Sequence, residues 1–359
     1  MTNLSVESIA KEKSMNYIGS KFSLIDFLTT SIDKTLESNE ETRAPEEMVF
    51  ADLLAGTGVV CQSFAELGYS VLANDIQYYS YVLNKNLLKN AGRLNKERCD
   101  ALIAELNELD GVEGFIYKNY SFGGTEGQEH RRMYFSDYNA KKCDAIRQKT
   151  EQMFNDGKID ENEYFFLIAS LLSSADKYAN TASVYGAYLK NLKKTAQKEM
   201  ILTAMPLSDK QYNAKVYNKN IIDLLDEVSG DILYLDPPYN ARQYCTNYHL
   251  LETIAKYDNP EIKGKTGLRE YSAQKSAFCM SGQVDEFFSE IIKKAQFKYI
   301  FLSYNNEGLM SFDKIEKIMR KHGKYKVYMR EYHRYKADSK RETKADNTVE
   351  YLHCLIKNK

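Results

Sequence analysis

Several features of ordinary proteins are scarce or missing in this sequence of 359 residues. Tryptophan is absent, and proline occurs only five times. No apolar run approaches the roughly 18 residues that a membrane span requires. The polar N-terminal stretch, MTNLSVESIAKEKS, lacks the apolar segment of a secretory signal. These absences predict a cytoplasmic protein that makes no contact with membranes.

The cysteines and histidines lack the spacings that bind metals or form redox centres. The six cysteines are scattered, and even the nearest pair, Cys245 and Cys279, is far from a CxxC spacing. The five histidines show no metal-ligand spacing either. We therefore expect reduced thiols, no bound metal and no histidine-based catalysis.

The formal net charge is only −1, so total charge gives no support for nucleic-acid binding. Positive charge is nevertheless concentrated locally. Residues 320–344 contain ten Lys or Arg, among them Lys336, against three acids, and a glycine-rich loop carries Arg131 and Arg132. A charge run is often just a solvated face. If the protein binds DNA, these three residues are the predicted phosphate contacts.

The hydrophobic periodicity predicts an α/β sheet interrupted by a mainly helical insertion. Residues 47–53 and 70–74 are typical of strands, and the helical stretch between them follows a glycine-rich turn. Further strands are predicted at 231–235 and 297–303, and an antiparallel hairpin at 325–335 and 348–357. Residues 1–90 and 213–359 would form the sheet domain. The insertion, 91–212, has helical patterns at 96–110, 137–155 and 161–179.

The strongest motif is Asp236-Pro237-Pro238-Tyr239, directly after an apolar strand. Ligands bind at the carboxyl end of such strands. The prolines remove two backbone donors, so the turn offers mainly acceptors: the Asp236 carboxylate and the Pro237 carbonyl. Two acceptors side by side suit an NH₂ group.

An aromatic amine is a poor nucleophile because its lone pair is delocalised into the ring. Accepting both of its hydrogens favours a pyramidal nitrogen, whose lone pair can then attack a sulfonium methyl group. Tyr239 would offer a flat face to the base, which must first leave the duplex stack. The alternative interpretation is a purely structural Pro-Pro turn.

A second motif, Asp52-Leu53-Leu54-Ala55-Gly56-Thr57-Gly58, follows the first strand. Its two glycines allow a ligand to approach the backbone at the head of a helix. The motif is not GxGxxG, which disfavours a dinucleotide and suits S-adenosylmethionine. Asp75 ends the next strand, where a carboxylate can accept hydrogen bonds from ribose hydroxyls.

A third motif, Asn16-Tyr17-Ile18-Gly19-Ser20-Lys21, precedes an apolar helical stretch. In this order, with an insertion before Asp-Pro-Pro-Tyr, the motifs resemble the alpha group of adenine-specific DNA methyltransferases, which includes the Dam methylase. The resemblance spans residues 14–357. It implies a Rossmann-like, S-adenosylmethionine-dependent methyltransferase sheet with an inserted target-recognition domain. Double-stranded DNA is the implied partner.

The resemblance also implies residue roles. Tyr17 and Lys21 would line the cofactor pocket with Asp52, Gly56 and Gly58, and Asp75 would bind the ribose. Asp236 and Tyr239 would meet the target adenine. Where the family often has an acidic residue facing the cofactor's adenine ring, this sequence has Asn220, whose amide oxygen can still accept.

Two other classes of function stay open at this point. One is a methyltransferase acting on RNA adenine or a protein glutamine, although the large helical insertion argues against it. The other is a DNA-binding module without catalysis, against which the intact Asp236-to-Tyr239 turn argues. The sequence indicates a monomer or weak dimer. It does not decide whether a companion restriction endonuclease exists or which DNA site is read.

Overall fold

A single seven-stranded sheet organises the computed structural model, which describes residues 17–333 and 347–358. The strands are β1 Val49–Asp52, β2 Ser70–Asn74, β3 Ala214–Tyr217, β4 Ser229–Leu235, β5 Gln296–Asn305, β6 Gly323–His333 and β7 Asn347–Lys357. Their spatial order is β3-β2-β1-β4-β5-β7-β6. Strands β1 to β5 are parallel to their neighbours among themselves, whereas β7 runs antiparallel to both β5 and β6.

Helices cover both faces of the sheet and fill the insertion. Those in the described residues are α1 Ile25–Ser38, α2 Val59–Glu66, α3 Tyr78–Asn84, α4 Lys96–Asn107, α5 Phe115–Tyr120, α6 Asp137–Asn155, α7 Glu161–Tyr178, α8 Ile221–Leu224, α9 Tyr244–Asn247, α10 His249–Lys256, α11 Val284–Lys294 and α12 Phe312–Arg320. Several start at polar caps: the side chains of Ser136 and Asp160 accept from the backbone at the head of α6 and α7.

The alternation of side chains along each strand divides the core into two layers. On β1, Phe50 packs into a cluster with residues of α1 and α2, whereas its neighbour Ala51 belongs to a cluster with α11 and α12. On β4, Ile232 and Leu233 divide in the same way. Because both faces are covered by helices, the central strands β1, β4 and β5 are buried along most of their length, as expected of a parallel sheet.

A third apolar cluster joins the insertion to the sheet domain. It contains most buried residues of α6 and α7 together with Tyr79 and Val82 of α3 and Leu250 and Ile254 of α10. The insertion therefore shares one core with two helices that lie outside 91–212. The division into two domains at these boundaries stays a prediction.

The Rossmann-like α/β fold predicted from the sequence is confirmed by the sheet order, and so is the terminal antiparallel hairpin. The helices predicted at 137–155 and 161–179 are present as α6 and α7. Strand β3 was not predicted, because its four residues include Lys215, only Ala214 among them is buried, and they therefore give no apolar pattern. No helix among the described residues is long and apolar enough to cross a membrane.

Candidate active site

The carboxyl ends of β1, β2 and β4 surround a cleft of about 750 Å³, part of which is open to solvent. From β1 the chain continues to β2 and β3 on one side of the sheet, and β4 and β5 lie on the other side of β1. Ligands bind to α/β sheets at such a point, where the strand order reverses. The cleft is lined by residues of all three predicted motifs, including Tyr17, Lys21, Asp52, Gly56, Asp75 and Asp236.

The glycine turn is closely packed from behind. Gly56 and Gly58 have positive φ angles of 52° and 83°. A Cβ atom on Gly58 would lie 2.5 Å from Oδ1 of Asn84, and one on Gly56 would lie 3.2 Å from the Tyr17 ring. Gly56 lines the cleft, whereas Gly58 lies behind it at the start of α2. Only glycine fits this conformation without strain, which explains the motif.

Asp75 anchors the same turn. Its two carboxylate oxygens accept hydrogen bonds from the backbone N–H of Gly56 at 2.9 Å and of Gln77 at 2.8 Å. Burial raises the pKa of Asp75 to about 6, although these two hydrogen bonds oppose the shift. Burial likewise raises the pKa of Asp52 well above its usual range, and Asp52 accepts from Leu54 N. The cleft thus has an acidic lining.

The Asp236 turn is held by a buried lysine. The ammonium of Lys21, whose residue is 5% exposed, lies 2.9 Å from Oδ1 of Asp236. The hydroxyl of Tyr239 lies 3.0 Å from the same oxygen. Both contacts therefore end on Oδ1. Pro238 lines the cleft beside Asp236, whereas Pro237 and Tyr239 belong to the turn but not to the lining.

Glu350 of β7 is a site residue that the sequence analysis missed. It is 1% exposed, and its Oε1 lies 2.6 Å from the Tyr239 hydroxyl and 3.5 Å from Nζ of Lys21. Burial raises the pKa of Glu350, while Lys21 and Tyr239 act in the opposite direction. A signal was present: Glu350 alternates with Leu352 and Cys354 on one face of β7, and all three are buried.

Tyrosines form one wall of the cleft. Tyr17 stacks on Tyr248 with ring centroids 4.6 Å apart, and its hydroxyl lies 3.1 Å from that of Tyr79. The Tyr244 hydroxyl donates to the carbonyl of Ile18, which joins α9 to the N-terminal motif. Tyr244 was also missed, because nothing in the local sequence links it to a segment more than two hundred residues earlier.

Asn220 is not brought to the cleft. Its side chain is exposed, and its Oδ1 accepts from Ile222 N at 3.0 Å as the cap of α8. The residue ends the short connection after β3, and that strand was not recognised in the sequence. Its position therefore does not support the predicted contact with the adenine ring of the cofactor.

The two arginines of the glycine-rich loop differ in their surroundings. Arg132 is 5% exposed, and its guanidinium donates to the carbonyls of Gly264, Lys265 and Asn119. This burial corrects the prediction that Arg132 is placed to contact phosphates. The guanidinium of Arg131 lies 3.5 Å from the ring centroid of the exposed Phe122.

Lys336, the third predicted phosphate contact, lies outside the described residues. Among residues 17–333 and 347–358, no group of three or more His, Cys, Asp or Glu could hold a metal ion.

Comparison with known proteins gives one consistent family. Residues 17–327 match the D12 class N6 adenine-specific DNA methyltransferases. The type II methyltransferase M.NlaIII of Neisseria lactamica is 49% identical over 96% of this chain and 99% of its own length. M.CviAII of Paramecium bursaria Chlorella virus 1 is 35% identical over 90% of this chain and 93% of its own. M.FokI of Planomicrobium okeanokoites is 40% identical over 96% of this chain, which spans 53% of that relative.

Proposed function

The chain belongs to the D12 class N6 adenine-specific DNA methyltransferases, and from this premise we propose how its residues carry out the reaction. The enzyme transfers a methyl group from S-adenosylmethionine to the exocyclic amino nitrogen of adenine in DNA. S-adenosylmethionine supplies an electrophilic methyl group on a positively charged sulfur. The protein has to bind this cofactor, orient the target base and make its amino nitrogen nucleophilic.

The chemistry of the cleft lining fits S-adenosylmethionine. The carboxylates of Asp52 and Asp75 suit the donor groups of the ligand, which are an ammonium, ribose hydroxyls and an amine. The absence of a side chain on Gly56 lets the ring of Tyr17 pack closely against the turn, because a Cβ there would lie 3.2 Å from that ring. Tyr17 and Tyr244 offer aromatic surface to an adenine ring. We assign these residues to cofactor binding.

The position of Asp236 carries the proposal. Because Lys21 and Tyr239 both contact Oδ1, Oδ2 is the oxygen that accepts from the target amino group. No backbone N–H in the described part of the chain donates to the Pro237 carbonyl, which we assign as the second acceptor. The two acceptors localise the nitrogen lone pair. No metal ion enters this proposal, since the proton can leave to solvent after attack.

Tyr239 positions the flipped base in this proposal. Its hydroxyl is held by two carboxylates, and its ring packs against Tyr304 with centroids 4.9 Å apart. These contacts fix the ring beside Asp236, so that a base stacked on it would be presented edge-on to the acceptors. A preorganised ring of this kind lowers the entropic cost of orienting the base.

Methyl transfer itself gives the direct test. Purified protein should transfer a labelled methyl group from S-adenosylmethionine to duplex DNA, and digestion should recover the label as N6-methyladenine. Sequencing genomic DNA from expressing cells with modified-base detection should then show one recognition sequence. Label in RNA or in protein glutamine, without label in DNA, would contradict the function.

Asp75→Ala is expected to weaken S-adenosylmethionine binding by about 1–3 kcal/mol, the cost of leaving buried donors without an acceptor. Because burial raises the pKa of Asp75 to about 6, its carboxylate gains a proton as the pH falls through that value. A protonated carboxyl is the weaker acceptor, so wild-type affinity should fall below about pH 6. Calorimetric titration between pH 5 and 8 measures both effects, using roughly unit steps across the expected transition.

Asp75→Asn is the control for this prediction. It keeps an acceptor oxygen but cannot titrate, so its affinity should be intermediate and independent of pH. An unchanged affinity in the alanine variant would remove Asp75 from the cofactor site. A thermal unfolding scan shows whether loss of the Gly56 and Gln77 hydrogen bonds has disturbed the fold.

We also propose that the insertion recognises DNA and that Arg131 contacts a phosphate. Arg131→Ala should lower the slope of log K against log salt by about one unit. Arg43, an exposed arginine outside both basic stretches that pairs with Glu41 as Arg131 pairs with Glu126, provides a matched control. Its alanine variant should bind as the wild type does. If Arg131→Ala keeps the wild-type slope, this loop does not meet the backbone.

The remaining proposals concern the cellular setting. Curated relatives are type II methyltransferases, so we propose that a companion endonuclease cuts the same sequence. We also propose that the chain acts in the cytoplasm. Its proposed oligomeric state is a monomer or a weak dimer. An extract of the source cells should cleave unmodified DNA and spare DNA that this chain has methylated. Sedimentation at several concentrations would give the oligomeric state.

A further inference from the structure

Two carboxylates share one lysine and one tyrosine beside the candidate active site. We propose that Glu350 is a positioning residue for methyl transfer, which draws the Tyr239 proton and part of the Lys21 charge to itself and so keeps Asp236 a strong acceptor. This inference rests on the proposed role of Asp236. It concerns a residue beyond the 17–327 segment that matches the family.

The distances support a shared network. The Tyr239 hydroxyl has a single proton, and it lies closer to Glu350, at 2.6 Å, than to Asp236, at 3.0 Å. The Lys21 ammonium has the opposite preference, at 2.9 Å from Asp236 and 3.5 Å from Glu350. Tyr239 and Lys21 therefore each contact both carboxylates. Removing either carboxylate would shift both of these donors.

Burial makes the network rigid. Glu350 is 1% exposed, Lys21 is 5% exposed, and the side chain of Asp236 is 19% exposed. Asp236 is thus the member that the cleft can reach, while Glu350 is closed off behind it. Because Glu350 cannot touch the substrate, it can act on the reaction only through Tyr239 and Lys21.

Charge explains why a second carboxylate is useful. One lysine cannot neutralise both Asp236 and Glu350, so the group as a whole keeps an excess of one negative charge when both are ionised. During methyl transfer, positive charge moves from sulfur to the adenine amino nitrogen. An anion fixed at that nitrogen stabilises the transition state more than a neutral ion pair would. Without Glu350, Lys21 and Asp236 would form such a neutral pair.

The sheet places Glu350 at this point. It lies opposite Asn305 of β5 and opposite Arg330 of β6. Asn305 is the last residue of β5, so the first residues of the antiparallel β7 lie at the edge where the parallel strands end. Asn306 fixes the register, because its side chain accepts from Val349 N and its backbone N–H donates to the Val349 carbonyl.

The ionisation of Glu350 provides a measurable signature. Lys21, Tyr239 and Asp236 are the titratable groups that act on it, and the exposed Arg330 is the charged residue opposite it on β6. Burial raises the pKa of Glu350 above its ordinary value of 4.5, and the partial opposition by Lys21 and Tyr239 does not cancel the shift. As the pH falls, Glu350 therefore gains a proton earlier than an exposed glutamate, and activity should fall with it.

Glu350→Gln tests the inference because it keeps the shape and removes the charge. We expect kcat to fall about 10- to 100-fold, the range seen when outer partners of metal-site ligands are removed. The dissociation constant of S-adenosylmethionine and the melting temperature should stay near wild type, and the acid limb of kcat against pH should be lost. Glu350→Asp keeps the charge, so it should retain that limb at a reduced kcat.

Glu66→Gln is the matched control. Glu66 accepts from the Tyr212 hydroxyl and pairs with Lys210 at 3.4 Å, so the substitution breaks a similar trio outside the cleft. It should leave kcat and its pH profile unchanged. Asp236→Ala is assayed in parallel. Methyl transfer by that variant would contradict the proposed role of Asp236 itself, separately from the role of Glu350.

Three results would overturn the inference. Wild-type kcat and pH profile in Glu350→Gln, with Asp236→Ala inactive, would show that Glu350 does not act on the reaction. A loss of activity matched by an equal loss of cofactor affinity or stability would show a merely structural role. If Glu350→Gln does not fold, wild-type kcat in Glu350→Asp would overturn it, because the shorter side chain cannot keep both contacts.

Discussion

Asp236→Ala is expected to abolish methyl transfer to adenine in DNA while the protein stays folded. Loss of one acceptor restores the planar, unreactive amine, and removal of one preorganised group at a reaction centre commonly costs about 10²–10³ in rate. The loss should be larger here, because Asp236 also orients the base. The fold should survive, since Glu350 remains within 3.5 Å of the Lys21 ammonium and keeps it paired.

The assay follows a labelled methyl group into duplex DNA and identifies the modified base after digestion. Asp236→Asn is the sharper variant, because its amide oxygen can still accept and should keep some activity that alanine does not. Near-normal transfer by the alanine variant would refute the mechanism. Label on cytosine would refute the choice of base.

Lys21→Met should produce the largest loss of stability, about 3 kcal/mol at pH 8, as expected when a buried ion pair loses one partner. Asp236 and Glu350 would then face each other without a cation. The pKa of Glu350, already raised by burial, would rise further, since Lys21 now lowers it. The folded variant would bind a proton at a pH where the unfolded chain does not, so its free energy of unfolding should increase as the pH falls.

Urea unfolding at several pH values between 5 and 8 measures this dependence, in about unit steps. Lys142 supplies the control, because it is also 5% exposed but donates to the carbonyls of Asn107 and Leu109 and to no carboxylate among its hydrogen-bond partners. Lys142→Met should lose stability by nearly the same amount at every pH. A pH-independent loss in Lys21→Met would argue against two carboxylates competing for one lysine.

The position of a motif in the fold could be predicted from the sequence where the motif directly follows a recognisable strand. The glycine turn, Asp75 and the Asp236 turn each follow an apolar strand, and parallel strands end at one edge, so their meeting could be predicted. Lys21 could be placed only through the resemblance, because nothing local shows that it becomes buried against Asp236. The roles assigned to these residues remain predictions.

The missed residues depend on long-range register. Glu350 reaches Tyr239 only because β7 enters between β5 and β6 with one pairing, and a shift by one residue would turn the side chain to the other face. The assignment of Asn220 to the cofactor, which its position does not support, depended on local sequence alone. Asn220 follows a four-residue strand that gives no apolar pattern, and an amide at such a position caps a helix as readily as it binds a ligand.

The shared core of the insertion bears on how such enzymes can be recombined. Helix α3 begins three residues after Asp75, and α10 follows the Asp236 turn, yet both bury apolar side chains in the cluster that contains α6 and α7. A graft of 91–212 from a relative would set foreign side chains against these two helices. A working chimera therefore has to carry the matching faces of α3 and α10 with it, because exchanging 91–212 alone would disturb the packing beside the candidate active site.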